Sequence, residues 1–396
     1  MTNPLAFPDV RCGRRGWLRG VALAVAAPGL RVAAAMEPTR ADRAALFPGS
    51  AVAYPEVLRE TRLVFPRDYG AHPDFRIEWW YVTGWLFDRT DRRPWGFQIT
   101  FFRIRTSYPD GNPSRFSPGR LMVAHAALVD AAAKRHPQRE RVANLGSAGV
   151  RLAQGDTDCA LPGWTLSRTA DDGYRTTVRE DEFGWRLALR TRGTAAPWLQ
   201  GEDGFQRKGP LESQASHYYS RPQLQVTGEL DVRAATRAVD GVAWLDHEWS
   251  STVLDPRAAG WDWAGLNLHD GRAIVWYRIR AADDGPALHT YFALREVDGG
   301  MRVLGEAAVT VDETWVSGAT GSRYPVALTL APREAPAPVG IGSLRLRPLI
   351  PNQEIDGRQI TGVAYWEGAV RVLDDGDREI GLGYLELTGY HRNFRL

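Results

Sequence analysis

The chain has 396 residues, 44% of them apolar and 24% charged, with a formal charge of +2 and two cysteines. That length and apolar content suffice for a large core and for two domains of ordinary size, and two cysteines cannot make a disulfide scaffold. Once the basic leader described next is set aside, no basic stripe remains to suggest nucleic acid.

Residues 1–35 read as an export signal. Arg14 and Arg15 precede Trp17 and Leu18, the weakly apolar run VALAVAAPGL (21–30) follows, and Ala33, Ala34 and Ala35 close the segment. This is the order of a basic region, a short apolar region and a small-residue cleavage site, with paired arginines of the twin-arginine kind. The run is half the length of a membrane span and holds Pro28, so no integral membrane segment is expected and the product is read as periplasmic or secreted. Removing the segment takes away five arginines (11, 14, 15, 19 and 31) and Asp9, which moves the formal charge from +2 to −2. It also removes Cys12 and leaves Cys159 alone, without a disulfide partner.

The remainder is strand-like. WGFQITFFRIR (95–105), LMVAHAALVD (121–130), GWRLALRTR (184–192), LQVTGELDV (224–232), RAIVWYRIR (272–280), PVALTLAP (325–332) and VAYWEGAVRVL (363–373) mix branched or aromatic residues with polar ones. Between them stand Asp-Gly turn signals at 110, 172, 270, 284, 298, 356 and 375, as expected of antiparallel hairpins. The fold class is therefore all-β, a sandwich or closed barrel. WWYVTGWLFD (79–88) and WDWAGLNLHD (261–270) echo one another, and each leads to a similar ending, FFRIR (101–105) and WYRIR (276–280). The echo predicts two related β domains, at 36–235 and 236–396, divided near 231–241 where RAATRAVDG is rich in small and polar residues.

Fifteen tryptophans and thirteen tyrosines line either a packed core or an apolar cavity. The richest stretch is WLDHEWSS (244–251). As a strand it sets Trp244, Asp246, Glu248 and Ser250 on one face and Leu245, His247, Trp249 and Ser251 on the other. Two carboxylates on one face, about 7 Å apart along the strand, would raise one another's pKa on burial and leave a neutral acid able to give a proton. The bland alternative makes both of them scaffolding, held by backbone or arginine. GWDWAG (260–265) sends Trp261 and Trp263 to one face and Asp262 to the other. HPDFRIEWWY (72–81) offers Glu78 beside Arg76, read as a structural ion pair, and SHYYSRPQL (216–224) adds His217, Tyr218 and Tyr219. Trp80, Tyr81, Tyr219, Trp261 and Trp263 are the candidate substrate-binding aromatics. No metal is expected, since the histidines are scattered and adjacent Asp246, His247 and Glu248 cannot converge from one strand. No GxSxG elbow marks a nucleophilic serine.

Taken together, HPDFRIEWWYVTGWL, GFQRKG…SHYYSRPQLQVTGEL, WLDHEWSS…GWDWAGLNLHDG and GYLELTGY (383–390) resemble the AttH-type predicted secreted hydrolases, a family that includes carotenoid 1,2-hydratases. The resemblance runs from about residue 64 to the C-terminus. It implies two tandem lipocalin-like antiparallel β-barrel domains and chemistry around His247, Trp249 and an aspartate matched to Asp262. It also implies hydration of an isoprenoid or lipid-like double bond: a buried acid protonates one carbon, tryptophan faces steady the cation, and His247 orients a water. No cofactor is required by that chemistry. A carrier of hydrophobic molecules that serves ABC-transporter components is the alternative, and ester hydrolysis is a third reading. The twin-arginine-like leader places the chain nearer the exported branch than the pigment enzymes, which leaves the carotenoid substrate open.

Overall fold

The computed structural model describes residues 52–108, 119–192, 195–252, 254–333 and 341–394; the leader with Cys12, and the Asp110-Gly111 turn signal, lie outside them. Among the described residues the only helical turn is Arg67–Tyr69. The strands that frame the site are β1 (Ile77–Asp88), β2 (Pro94–Arg105), β3 (Arg120–Asp130), β4 (Gln138–Asn144), β5 (Ala215–Val232), β6 (Ala235–Ser250), β7 (Ala258–Leu268), β8 (Ala273–Ala281), β9 (Val363–Leu373) and β10 (Glu379–Leu387). A 13-stranded antiparallel sheet runs β4-β3-β2-β1-β6-β5 and then through shorter strands from Phe183–Thr191 to Arg151–Leu152. A 10-stranded antiparallel sheet is centred on β8-β7-β10-β9.

Period-two alternation gives each sheet two apolar faces. On β1, Trp80, Val82 and Leu86 join Phe97, Trp164 and Leu245 in a core that the first sheet curls around. The second sheet has its own core, built on Leu266, Trp276, Phe292, Trp366 and Leu385. The alternate residues of both sheets meet in a third layer, with Tyr81, Trp85 and Trp244 facing Trp263, Val275 and Tyr384. The two sheets are therefore packed outer face to outer face, and the described residues form one compact unit.

The segment expected to divide two domains is instead a hairpin turn inside the first sheet. Arg233 and Ala234 have φ of 52° and 60°, the pair of left-handed residues a two-residue hairpin turn requires, and they join β5 directly to β6. WLDHEWSS thus ends the first sheet rather than opening the second. It is paired on both sides, with Tyr81 opposite Asp246, Trp80 opposite His247 and Tyr219 opposite His247 on its other flank. The chain changes sheet only between Ser250 and Ala258. Asp356-Gly357 also departs from expectation, lying within the short strand Glu354–Gly357.

The sequence echo maps onto equivalent hairpins. β1–β2 and β7–β8 are central in their respective sheets, and each carries a cross-strand acid–arginine pair, Glu78 opposite Arg103 and Asp262 opposite Arg278. At one end of the strands the sheets are bolted together. A bulge between Arg221 and Leu224 puts Gln223 at φ 59°; its backbone N–H donates to Asn267 Oδ1 at 2.7 Å and its side-chain amide to the carbonyls of Leu268 and Arg272. Nearby, Trp85 Nε1–H donates to the Gly383 carbonyl at 3.0 Å. Gly265 permits the approach there, since a Cβ on it would stand 2.9 Å from the Trp244 ring.

Candidate functional site

β6 separates two buried polar clusters, one on each of its faces. Toward the first sheet's core, His247 Nε2 lies 2.9 Å from Glu78 Oε1 and its Nδ1 lies 3.1 Å from the Tyr219 hydroxyl. The ring stacks on Trp80 with centroids 4.4 Å apart. Glu78 also meets His72 Nδ1 at 2.8 Å, accepts the His72 backbone N–H at 2.9 Å, and takes two contacts from the Arg103 guanidinium at 3.3 Å. His72 in turn reaches Asp68 at 3.2 Å and stacks face to face on Trp249 at 3.7 Å. Burial alone would raise the Glu78 carboxyl, but His247, His72 and Arg103 hold it well below the usual carboxylate range. His72 faces two carboxylates through its two nitrogens, and these raise its pKa against the effect of burial; His247, more deeply buried, is lowered.

His72, Glu78 and His247 are the one set of three among the described residues whose donor atoms converge within 4.8 Å of one another. The atoms that would ligate an ion are the ones that hydrogen-bond, and a guanidinium stands on the same carboxylate. A divalent cation would have to displace both, so the geometry fits an ionic scaffold better.

On the other face, the ends of β1, β2, β5 and β6 look across at β7, β8, β9 and β10 over a cleft of about 130 Å³. Its walls are aromatic, with Trp79, Tyr81 and Phe102 from one sheet and Trp261, Trp263 and Tyr277 from the other. Four carboxyl groups line it: Asp246, Glu248, Glu367 and Glu386. Glu367 and Glu386 are directly opposed on β9 and β10. Asp246 accepts from Tyr218 at 2.8 Å, Ser220 at 2.5 Å and Trp244 Nε1 at 2.6 Å. Glu248 lies 3.0 Å from Lys208 Nζ, which sits over the faces of Tyr218 and Tyr277 at 4.7 and 4.4 Å. Among the described residues, Glu367 Oε1 and the Tyr384 hydroxyl, both buried, have no hydrogen-bond partner.

The protonation states of this cluster invert those of the Glu78 cluster. Desolvation pushes Asp246 up to about 7 despite its three donors. It pushes Glu386 up to about 7 as well, against the pull of Trp261 and Thr388. Glu367 is raised well above the carboxylate range, first by desolvation and then by the charge of Glu386. At neutral pH the cleft therefore keeps a protonated fraction of Asp246 and Glu386 and a still less acidic Glu367, in an apolar setting where the partnerless Glu367 oxygen is open to a polar group of a ligand.

The ten residues singled out from sequence fall into three places. Tyr81, Asp246, Glu248, Trp261 and Trp263 meet at the cleft. Trp80, Tyr219, His247 and Trp249 meet on the inner face instead, for the plain reason that they occupy the alternate positions of their strands. Asp262 is in neither: it points to the opposite face of β7, where Arg278 at 2.7 Å, Arg280 at 3.0 Å and the Tyr390 hydroxyl at 2.9 Å enclose it. The centre that the family resemblance implied, His247 and Trp249 with Asp262, is thus not assembled in one place. Glu78, read beside Arg76, finds its guanidinium on Arg103. Sequence reasoning missed Glu367, Glu386, Tyr365 and Lys208. A signal for three of them was present: Tyr365/Glu367 and Tyr384/Glu386 repeat the aromatic–acid alternation of Trp244/Asp246.

The AttH-like family profile matches residues 56–390. The chain belongs to the AttH-like family. The crystal structure of an AttH protein of Nitrosomonas europaea is 42% identical, superposes with a TM-score of 0.77, and is matched over 85% of this chain and 99% of its own. Kievitone hydratase of Nectria haematococca, at 16% identity, shares the fold with a TM-score of 0.58 over 85% of this chain and 94% of its own. No curated protein matches the chain. The nearly all-β, lipocalin-like architecture of this AttH-like chain is therefore common to a protein that carries out hydration. Among the described residues no helix is long and apolar enough to cross a membrane.

Proposed function

We propose that this AttH-like protein is an exported hydratase that adds water across a double bond of an apolar isoprenoid or lipid-like molecule held between its two sheets. The observation that carries the reading is the set of carboxyl groups with raised pKa, Glu386, Glu367 and Asp246, in an aromatic cleft. Protonating an unactivated alkene needs an acid whose pKa lies near the working pH, which Glu386 at about 7 supplies. The π pair takes the Glu386 proton to form a C–H bond, and the cation left on the neighbouring carbon sits among Trp79, Trp261 and Trp263, whose faces attract positive charge. Asp246, with three donors around it, is suited to carry negative charge beside that cation, and a water then closes the C–O bond. His247 and Asp262 have no part at the reacting atoms in this reading; they hold the two hairpins that shape the cleft. Export rests on the leader at 1–35, with any ABC-transporter component as a downstream partner.

The test incubates wild type, Glu386→Gln and Asp246→Asn with linear isoprenoids in ¹⁸O-water and follows product by mass spectrometry. Labelled hydrate from wild type, lost in Glu386→Gln while ligand binding persists, supports the reading. Saturable binding with no hydrate from any protein would instead establish a carrier.

A further inference from the structure

The hydratase reading leaves one step without a group: something must take the proton of the attacking water. A file of titratable side chains outside the acid cluster ends at the cleft. Tyr365 lines it from β9, and its hydroxyl lies 2.5 Å from His125 Nδ1. His125 stands on β3 of the other sheet, and its Nε2 lies 2.8 Å from Glu140 Oε1 on β4. Both side chains are almost wholly buried, 6% and 4% exposed. Phe102 and His125 meet in a T-shaped contact with centroids 5.4 Å apart, and Ala127, Ile355 and Tyr365 form a small apolar cluster of their own.

The order of these groups fixes the direction of the protons. A carboxylate can only accept, so a neutral His125 paired with an ionised Glu140 carries its hydrogen on Nε2 and offers a bare Nδ1 to the phenol. With its own hydrogen so directed, the Tyr365 oxygen keeps its lone pairs for the cleft. On that side it stands beside the Glu367 carboxyl, which is itself opposite Glu386. This is the nucleophile–base–orienting-acid pattern of general-base catalysis, with a phenol at the substrate end and its members drawn from both sheets.

We propose that Tyr365, His125 and Glu140 form the water-activating relay of the cleft, and that Glu367 links the relay to the acid Glu386. The inference rests on the hydratase reading for its substrate and on the geometry for its residues. As the water oxygen bonds to the cationic carbon, one water O–H breaks toward the Tyr365 oxygen while the Tyr365 proton passes to His125 Nδ1, giving an imidazolium beside the Glu140 carboxylate. The proton then returns through Tyr365 and Glu367 to the Glu386 carboxylate that began the cycle. Water is added across the double bond with no net proton gained or lost, and neither oxidant nor reductant is needed. Tyr365 acts at the reacting atoms; His125 and Glu140 are positioning residues that act through it.

The test has two arms, each decisive on its own question. In ¹⁵N-histidine-labelled full-length protein, His125 is expected as the Nε2–H tautomer with a bare Nδ1. Tyr365→Phe should shift Nδ1 alone, and Glu140→Gln should release the tautomer preference while thermal melting shows the protein folded. An Nδ1–H tautomer in wild type overturns the relay. In the turnover arm, Tyr365→Phe and His125→Asn are expected to lower kcat by about 100-fold or more with KM little changed, a typical general-base contribution; wild-type rates in folded variants also overturn it. If wild type hydrates none of the isoprenoids, the hydratase reading fails, and the tautomer arm alone decides whether the hydrogen-bonded relay exists.

Discussion

Glu78 and Glu367 are both buried glutamates on central strands, each wholly removed from water, yet one is held as an anion and the other as a neutral acid. The difference lies in their neighbours. Glu78 faces two imidazoles, a guanidinium and a backbone N–H. Glu367 faces phenols and a second carboxyl group. Burial sets the size of the penalty on a charge, and positive charge among the partners decides whether the charge survives it, since Asp246 with three uncharged donors is still raised. One face of β1 and β6 has thus been made a stable ionic scaffold. The other borders a cleft of acids with raised pKa, in which Glu367 keeps an oxygen without a partner, as suits a site that awaits its ligand.

The largest expected effect is on the scaffold. Glu78→Gln leaves the buried Arg103 without its counter-charge and should cost about 3–5 kcal/mol, read from urea unfolding; a loss below about 1 kcal/mol would break the contrast. Next, Glu386→Gln should reduce hydration by about 100-fold or more while leaving the melting temperature at pH 8 unchanged or higher, since a desolvated carboxylate no longer has to ionise. His247→Gln should cost about 1–3 kcal/mol for the two buried groups it leaves short of a partner, with product formed per folded molecule unchanged. Loss of turnover in a fully folded His247→Gln protein would return catalysis to the inner face.

The smallest and most diagnostic effect is the pH profile of stability. Glu78 is lowered on folding, so the stability it contributes is present above the ordinary carboxylate pKa and is lost as pH falls into the acid range. Asp246 and Glu386 are raised to about 7, so what they contribute is full at acid pH and is lost as pH rises from about 4 through 7. Melting temperature against pH should show both arms. The double variant Asp246→Asn/Glu386→Gln should reduce the upper arm only, leaving the part that Glu367 contributes.

How much of this could be read in the sequence follows from the range of the interactions. Strand alternation is local, and it correctly divided WLDHEWSS into a face with Asp246 and Glu248 and a face with His247 and Trp249. Which face looks onto a cleft is not local, because it depends on β9 and β10, more than a hundred residues later. That is why Asp246 and Glu248 could be read as a candidate acid pair while Glu386 could not, and His247 stood as a reacting group on the family resemblance alone. The paired hairpins were visible as an echo of aromatic strands, but the boundary between halves was not, since a turn made of Arg233 and Ala234 has the same polar, small-residue composition as a linker. His125 and Glu140, alternating with alanines and arginines on β3 and β4, carry no local mark at all.

The Gln223 bulge has a consequence for the choice of ligand. With Trp85 and Asn267 it works as the spine of a book, tying the sheets at the end of β1, β6 and β7 away from the acids. The acids lie toward the fore-edge, where Thr252, Leu254 and Phe394 stand. On the proposed hydratase reading, a thread-like substrate would enter tip first and stop at the binding, its remainder trailing into solvent. An enzyme so built would read the ends of chains and be blind to their middles, modifying a bond near one terminus whatever the total length of the molecule.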